Sequence, residues 1–372
     1  MNIVFGIIIG LFVLMLLVVA HEFGHFLMSR RNGVNVLEFG LGFPPRAVAW
    51  VKDPATHKWR RLKKSEWCAA GLMKTVIEQE EKEGKTKKKE SARADAKTFS
   101  VSADDKKLFQ DGMVLSINWL PIGGFCQMDG ESATDTRKGT FGKASFKSKT
   151  KILFGGVAMN WLVAWVILTV LAWTGVPTFI NNQFSIDADA TRFESQDIVM
   201  VTTDEEGNEV KTPQILSRYT WSAPIVGAGI TLQVTGETFK GVGELLWNLI
   251  SGVGRMFSFD SGVRESGQEA IKSVGDSVSG PVGIIGVLFP SFTELGLENL
   301  AFLAAVISIS LACMNVLPIP ALDGGRWLLI ALYKLRHKKL TKEKEQQIVA
   351  RAMYVLLGLM LVVTILDITR FF

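Results

Sequence analysis

The sequence predicts an α-helical integral membrane protein with about four transmembrane helices, β segments after the first of them and a small extracytoplasmic β-rich region. Three observations carry that expectation. Of the 372 residues, 48% are hydrophobic and the mean hydropathy is positive at +0.25, which is more apolar than an ordinary soluble domain. Four uncharged apolar runs recur along the chain, and the basic residues crowd the polar stretches on one side of them.

The first run, residues 3–20, holds eighteen residues without a charge; as a helix it is about 27 Å long, enough for a hydrocarbon core. A cleaved signal peptide would need a basic n-region and a small-residue cleavage site. Neither is present, and the run continues directly into His21, so a permanent helix is expected over 1–30. The second span is placed at 152–174 and the third at 300–325, its helix ending near Val316. The fourth, over 348–372, has an apolar centre bracketed by Arg351 and Asp367 and gains length by snorkelling of the arginine.

Charge distribution then orients the spans. Residues 30–151 hold 25 of the 41 Lys and Arg, residues 174–299 only 7 and residues 326–351 another 8. Under the positive-inside rule, the 31–151 and 326–347 loops are cytoplasmic and the central loop lies outside. Nucleic acid is excluded as a partner, because the basic residues flank spans and no aromatic-interleaved basic motif accompanies them. Cys68, Cys126 and Cys313 stand alone with no CxxC spacing, which argues against a disulfide framework or a cysteine metal site.

Between the spans, glycines, prolines and alternating apolar residues predict strands near 34–51 and 113–128 within a cytoplasmic-side loop of membrane-associated β segments. The Glu- and Lys-rich insert at 78–107 reads as a solvated helix or mobile loop. The 175–240 stretch is expected to be a short extracytoplasmic region, β-rich over 178–239, with a hairpin turn at 204–208. Residues 241–299 read as amphipathic, membrane-associated segments, with a helix at 241–257 on the membrane surface or packed on the bundle.

The chemistry is concentrated in His21-Glu22-Phe23-Gly24-His25. On a helix, residues four apart share a face, so both imidazoles reach one metal with Glu22 close by as a general acid/base. Zinc suits those nitrogens. Three ionisable residues within five, at the end of a membrane helix, need partners or a ligand; the alternative is a pair of histidines hydrogen-bonded to neighbouring helices. Two histidines leave zinc short of a third protein ligand, and His57 and His337 both lie in basic loops. Asp323 is the better placed donor. Pro318 and Pro320 end the preceding helix, and Gly324 and Gly325 permit a sharp turn that presents the carboxylate from irregular backbone. Its other reading is a helix N-cap.

HEFGH in a first helix, LPIGGF in the following loop and NVLPIPALDGGR near the end resemble the site-2 protease family, in particular its bacterial members similar to the sigma-E-pathway protease. FGGVAMN in the second span and SGPVG before the third extend the resemblance to nearly the whole chain. It implies membrane-reentrant β segments around Gly40 to Gly42 and Ile122 to Phe125, and a metalloendopeptidase with His21, His25 and Asp323 as zinc ligands and Glu22 as catalytic acid/base. Asn315, and the segment of Gly123 and Gly124, would contact substrate. It further implies single-pass transmembrane substrates of the anti-sigma-factor or signal-peptide-remnant type, lipid surroundings, and a multi-pass protein of the bacterial inner membrane with its active site toward the cytoplasm. One departure stands out. Family members carry PDZ domains between the second and third spans, where about sixty residues cannot hold a complete one. A zinc-binding transporter or sensor is the alternative reading; it would want further carboxylates or histidines along a membrane path.

Overall fold

In a computed structural model, the structure describes residues 3–53, 56–63, 108–131, 137–177, 190–203, 209–258, 260–277, 280–338 and 340–371. The 78–107 insert and the 204–208 turn expected from the sequence lie outside the described residues. Among the described residues, four helices are long and apolar enough to cross a membrane: α1 (Ile3–Arg31), α2 (Phe146–Thr174), α6 (Leu297–Val316) and α8 (Lys342–Phe371). Their outer faces expose large apolar side chains, among them Ile3, Val4, Phe5 and Ile8 on α1 and Tyr354, Val355 and Leu361 on α8. Patches of that size belong against lipid rather than water.

Helix ends lie outside the expected spans because a helix does not stop where its charges begin. α2 starts six residues before Ile152; the Ser145 hydroxyl accepts the Ser148 N–H at 3.1 Å, capping a first turn that carries Lys147, Lys149 and Lys151. α8 likewise begins at Lys342 rather than 348, after Thr341. α1 ends at Asn32-Gly33, where Gly33 takes a left-handed φ of 73° and Val34 N–H returns to the Ser29 carbonyl at 2.9 Å, closing the helix with a glycine terminator.

The chain divides into two compact units, Met1–Leu11 with Asn160–Met314 and Tyr354–Phe372, and Phe12–Met159 with Asn315–Met353. The first unit is built on Ala164 and Leu168 of α2, Ala223, Val226 and Ile230 of α3 (Ala223–Met256), and Ala305 and Ile309 of α6, all buried together. Strands β4 (Val176–Pro177), β5 (Thr191–Thr203) and β6 (Glu209–Arg218) form a sheet in the order β4-β6-β5, in which Thr202 pairs with Val210. The strands on either side of the expected turn pair antiparallel, but β structure does not continue to 239. From Ala223 onward the chain is helical, and one helix replaces both the end of the expected β region and the separate helix at 241–257. Pro224 suits a first helical turn, and the Val, Ile and Thr residues that favour a strand in isolation are overridden by burial of one helical face. α4 (Ser261–Ser277) packs on α3, and a short helical stretch, α5, runs through Pro281–Gly283, a π turn at Ile284–Leu288 and Phe289–Glu294. The Asp367 carboxylate of α8 accepts the N–H groups of Gly280 at 3.1 Å and Gly283 at 2.9 Å.

The second unit contains a sheet in the order β2-β1-β3: β1 (Val36–Lys52), β2 (Trp59–Arg61) and β3 (Val114–Met128). β1 and β3 each fold back, at Phe43–Pro45 and near Leu120, so the Val36–Leu41 arm lies between Gly124–Met128 and Val114–Ile117, and Arg46–Val51 pairs with the far side of Val114–Asn118. Buried Arg46 donates through Nε to Glu38 Oε1 at 3.0 Å across the β1 bend, and Asn118 Nδ2 donates to the Gly42 carbonyl at 3.0 Å. Both bends expose apolar tips: Phe43, Trp119 and Leu120. Beneath the sheet, Phe26 of α1 packs with Val36, Met113, Phe141 and Ile152, joined by Ile330 of α7 (Asp323–Leu335). α7 occupies ground expected to be a basic loop, since its Trp327, Leu329 and Ile330 form an apolar face that the flanking charges mask in the sequence.

Candidate metal centre

α1 presents His21, Glu22 and His25 on adjoining turns, and both imidazoles are buried, 8% and 7% exposed. The rings meet edge to face with centroids 4.7 Å apart. His25 Nδ1–H donates to the Ile152 carbonyl at 2.8 Å, which assigns the proton to Nδ1 and leaves Nε2 with its lone pair. That nitrogen lies 3.1 Å from His21 Nε2. Two imidazole nitrogens so close, within buried surroundings, repel each other unless a proton or cation lies between them.

Asp323 completes the arrangement from the far end of the chain. After α6 the backbone turns through Ile319 N–H to Leu317 O at 2.8 Å and Leu322 N–H to Ile319 O at 2.8 Å. Gly324 and Gly325 are pressed on the Val316 and Ile319 carbonyls, where any Cβ would overlap backbone. Asp323 is the first residue of α7; the N-cap is Leu322, so the carboxylate is not a cap. Its Oδ2 lies 3.1 Å from His21 Nε2 and 3.2 Å from His25 Nε2. Burial alone would raise the Asp323 carboxyl, but the two imidazole contacts outweigh it and hold the group below the usual carboxylate range.

His21, His25 and Asp323 thus offer three ligand atoms in one cluster, with edges of 3.1, 3.1 and 3.2 Å. Tetrahedral zinc with ligands near 2.0 Å separates neighbouring donors by about 3.3 Å. The donor set and its spacing therefore fit that ion, with a fourth position left for water or substrate. Glu22 is tied elsewhere: its Oε2 accepts the Cys126 N–H at 3.0 Å, from the β3 arm that pairs with Val36–Leu41.

The remaining expected site residues are placed as follows. Asn315 sits in the last turn of α6, half-buried. Gly123, with φ 78°, and Gly124 are buried where a Cβ would meet Phe43 and Val18, or the Gly40 carbonyl and Val19. Their visible role is to let β3 lie against α1 one turn before His21. His57 pairs with Asp111 at 2.6 Å and takes no part in the cluster. The Cys126 amide and the Ile152 carbonyl were not foreseen, because backbone groups carry no signature in the sequence.

Comparison with known proteins gives the family. The model of peptidase family M50 matches residues 9–95 and 94–360. The chain belongs to that family, the site-2 proteases, and is a metallopeptidase. It is 27% identical to the zinc metalloprotease RasP of Bacillus licheniformis over 422 aligned positions, covering 96% of this chain and 97% of the relative. It is 24% identical to the regulator of sigma-W protease RasP of Bacillus subtilis, covering 96% of each. A third relative, zinc metalloprotease RasP of Oceanobacillus iheyensis, is 26% identical over 97% of this chain and 98% of its own length. The 422 aligned positions exceed the 372 residues here, so the alignment holds stretches with no counterpart in this chain.

Proposed function

We propose that this protein is a zinc-dependent intramembrane protease that hydrolyses peptide bonds in or next to the transmembrane segment of single-pass membrane proteins. The observation that carries the proposal is the meeting of the Asp323 carboxylate with His21 and His25 at tetrahedral spacing, the two histidines lying on a helix long and apolar enough to cross a membrane. Zinc, when bound there, supplies a Lewis acid that acidifies water and polarises a carbonyl. The chain's own residues do the rest. His21, His25 and Asp323 hold the ion, and the Ile152 carbonyl fixes the His25 ring. Glu22 accepts a proton from the attacking water and later delivers one to the leaving amine. Asn315 orients the substrate backbone.

The substrate must arrive unwound, because a helical peptide bond has its carbonyl hydrogen-bonded and screened. Its freed amide groups need partners, and the Gly124–Met128 arm supports that role, since it lies beside Glu22 and has β1 on one side only among the described residues. The exposed tips at Phe43 and Trp119 suit membrane-reentrant positions. The name of the Bacillus subtilis relative, regulator of sigma-W protease, supports anti-sigma-factor substrates. The charge asymmetry supports a bacterial inner-membrane location with the centre toward the cytoplasm. A transporter is disfavoured, because no second cluster of three donors occurs among the described residues.

The test is Glu22→Gln, nearly isosteric but unable to take a proton. It is expected to keep stoichiometric zinc and to cut a tagged model membrane peptide at least about a hundredfold more slowly. Wild-type turnover by that variant would refute the assignment.

A further inference from the structure

Helix α2 carries two adjacent glycines whose missing side chains face different things. A Cβ on Gly155 would stand 2.8 Å from the Gly24 carbonyl oxygen and 2.7 Å from Met28 Cγ, and a Cβ on Gly24 would in turn overlap the Gly155 carbonyl. That pair lets α1 and α2 approach backbone to backbone. Gly156 faces side chains first. The atoms nearest to its would-be Cβ are Nε2 of His21 and Nε2 of His25, each at 2.6 Å, and His21 Cε1 at 2.7 Å. Those distances lie well inside van der Waals contact, and the atoms met are the two donor nitrogens themselves.

The rings have little freedom to yield. His25 is held through Nδ1 by the Ile152 carbonyl at 2.8 Å, the two imidazoles pack edge to face, and both are buried. A methyl group that close to both nitrogens either overlaps the metal position or drives the rings from it. We infer that Gly156 is a positioning residue for the metal: α2 turns a wall without a side chain toward the two donor nitrogens, and that absence sets the room in which the cation is held. The inference rests on the metal-centre reading of His21, His25 and Asp323. It also separates the two glycines by role, Gly155 serving helix packing and Gly156 the metal. Intrinsic propensity does not explain a glycine at 156, since alanine is the better former of a helix interior.

The experiment compares the full chain in detergent as wild type, Gly156→Ala and Gly155→Ala. Three quantities are read: zinc content by elemental analysis, zinc affinity by chelator competition, and the thermal midpoint of the metal-free protein. Wild type is expected to hold one zinc. Gly156→Ala should lose affinity by about tenfold to a hundredfold or more, with a metal-free midpoint lowered less than that of Gly155→Ala, because its Cβ meets side-chain ends rather than the backbone of the neighbouring helix. Gly155→Ala should lower the metal-free midpoint. Wild-type affinity in Gly156→Ala would overturn the inference while leaving the metal centre standing. A metal-free midpoint as low as that of Gly155→Ala would overturn it too, showing that residue 156 serves packing. Wild type without zinc would refute the metal-centre reading itself, and the inference with it.

Discussion

His21 and His25 reached the same cluster for a reason visible in the sequence: four residues of helix bring two side chains over one another. Asp323, 302 residues from His21, was legible because Pro318 and Pro320 end the preceding helix, although Gly324 and Gly325 lie in the first turn of α7 and not in irregular backbone. The orienting contacts were not legible. His25 is aimed by the carbonyl of Ile152 and Glu22 is tethered by the amide of Cys126, and any residue in those positions would supply the same groups. The charge on Asp323 carries a prediction. Asp323→Asn leaves an oxygen in place but removes the anion that faces both imidazoles at 3.1 and 3.2 Å. Zinc affinity measured by chelator competition should fall by about tenfold or more, and peptide cleavage with it. Unchanged affinity and turnover would place the third ligand elsewhere.

Among the elements, apolar runs gave the cores of the spans but not their ends, since Ser145 starts α2 ahead of three lysines. α3 was misread for the opposite reason: its β-branched residues favour a strand locally, and only burial against α2 and α6 makes the stretch helical. The fold-back arms of β1 and β3 depend on long-range register, which no local pattern encodes. If the Gly124–Met128 arm receives an unwound substrate, cleavage should rise when Gly, Pro or Asn stands near the scissile bond and fall when Leu replaces it. A matched series of model substrates, assayed in detergent and in bilayers, reads this directly; indifference to helix propensity in both settings would remove unwinding from the mechanism. A second prediction concerns the β1–β2 connection. Burial alone would raise the Asp111 carboxyl, but hydrogen bonds from Lys52 and His57 outweigh it and lower its pKa, with Lys52 Nζ 3.2 Å away. A depressed carboxylate contributes stability above its unfolded value, about 3.9, and that contribution is lost as pH falls below it. Amide exchange at Lys52 and Asp53, corrected for its intrinsic rate, should therefore accelerate below about pH 4, and Asp111→Asn should show the faster exchange already at neutral pH. Exchange in wild type that is independent of pH across this range would contradict the anchoring role.

At the scale of the whole molecule, the apolar spans account for a membrane protein, and the site-2 protease family fits a centre whose ligands come from both ends of the chain. That centre needs α1 and the start of α7 to be brought together within the second unit, so the metal's surroundings report on the packing of that unit. Cys126 and Cys313 are buried free thiols, so a sulfur ligand would mark zinc held away from this centre. The most direct measurement is therefore zinc-edge X-ray absorption on the purified full chain carrying Glu22→Gln. The expected spectrum is a shell of nitrogen and oxygen at about 2.0–2.1 Å with the multiple scattering of two imidazoles. A sulfur shell near 2.3 Å, a single imidazole, or protein that holds no zinc would contradict the centre built from His21, His25 and Asp323.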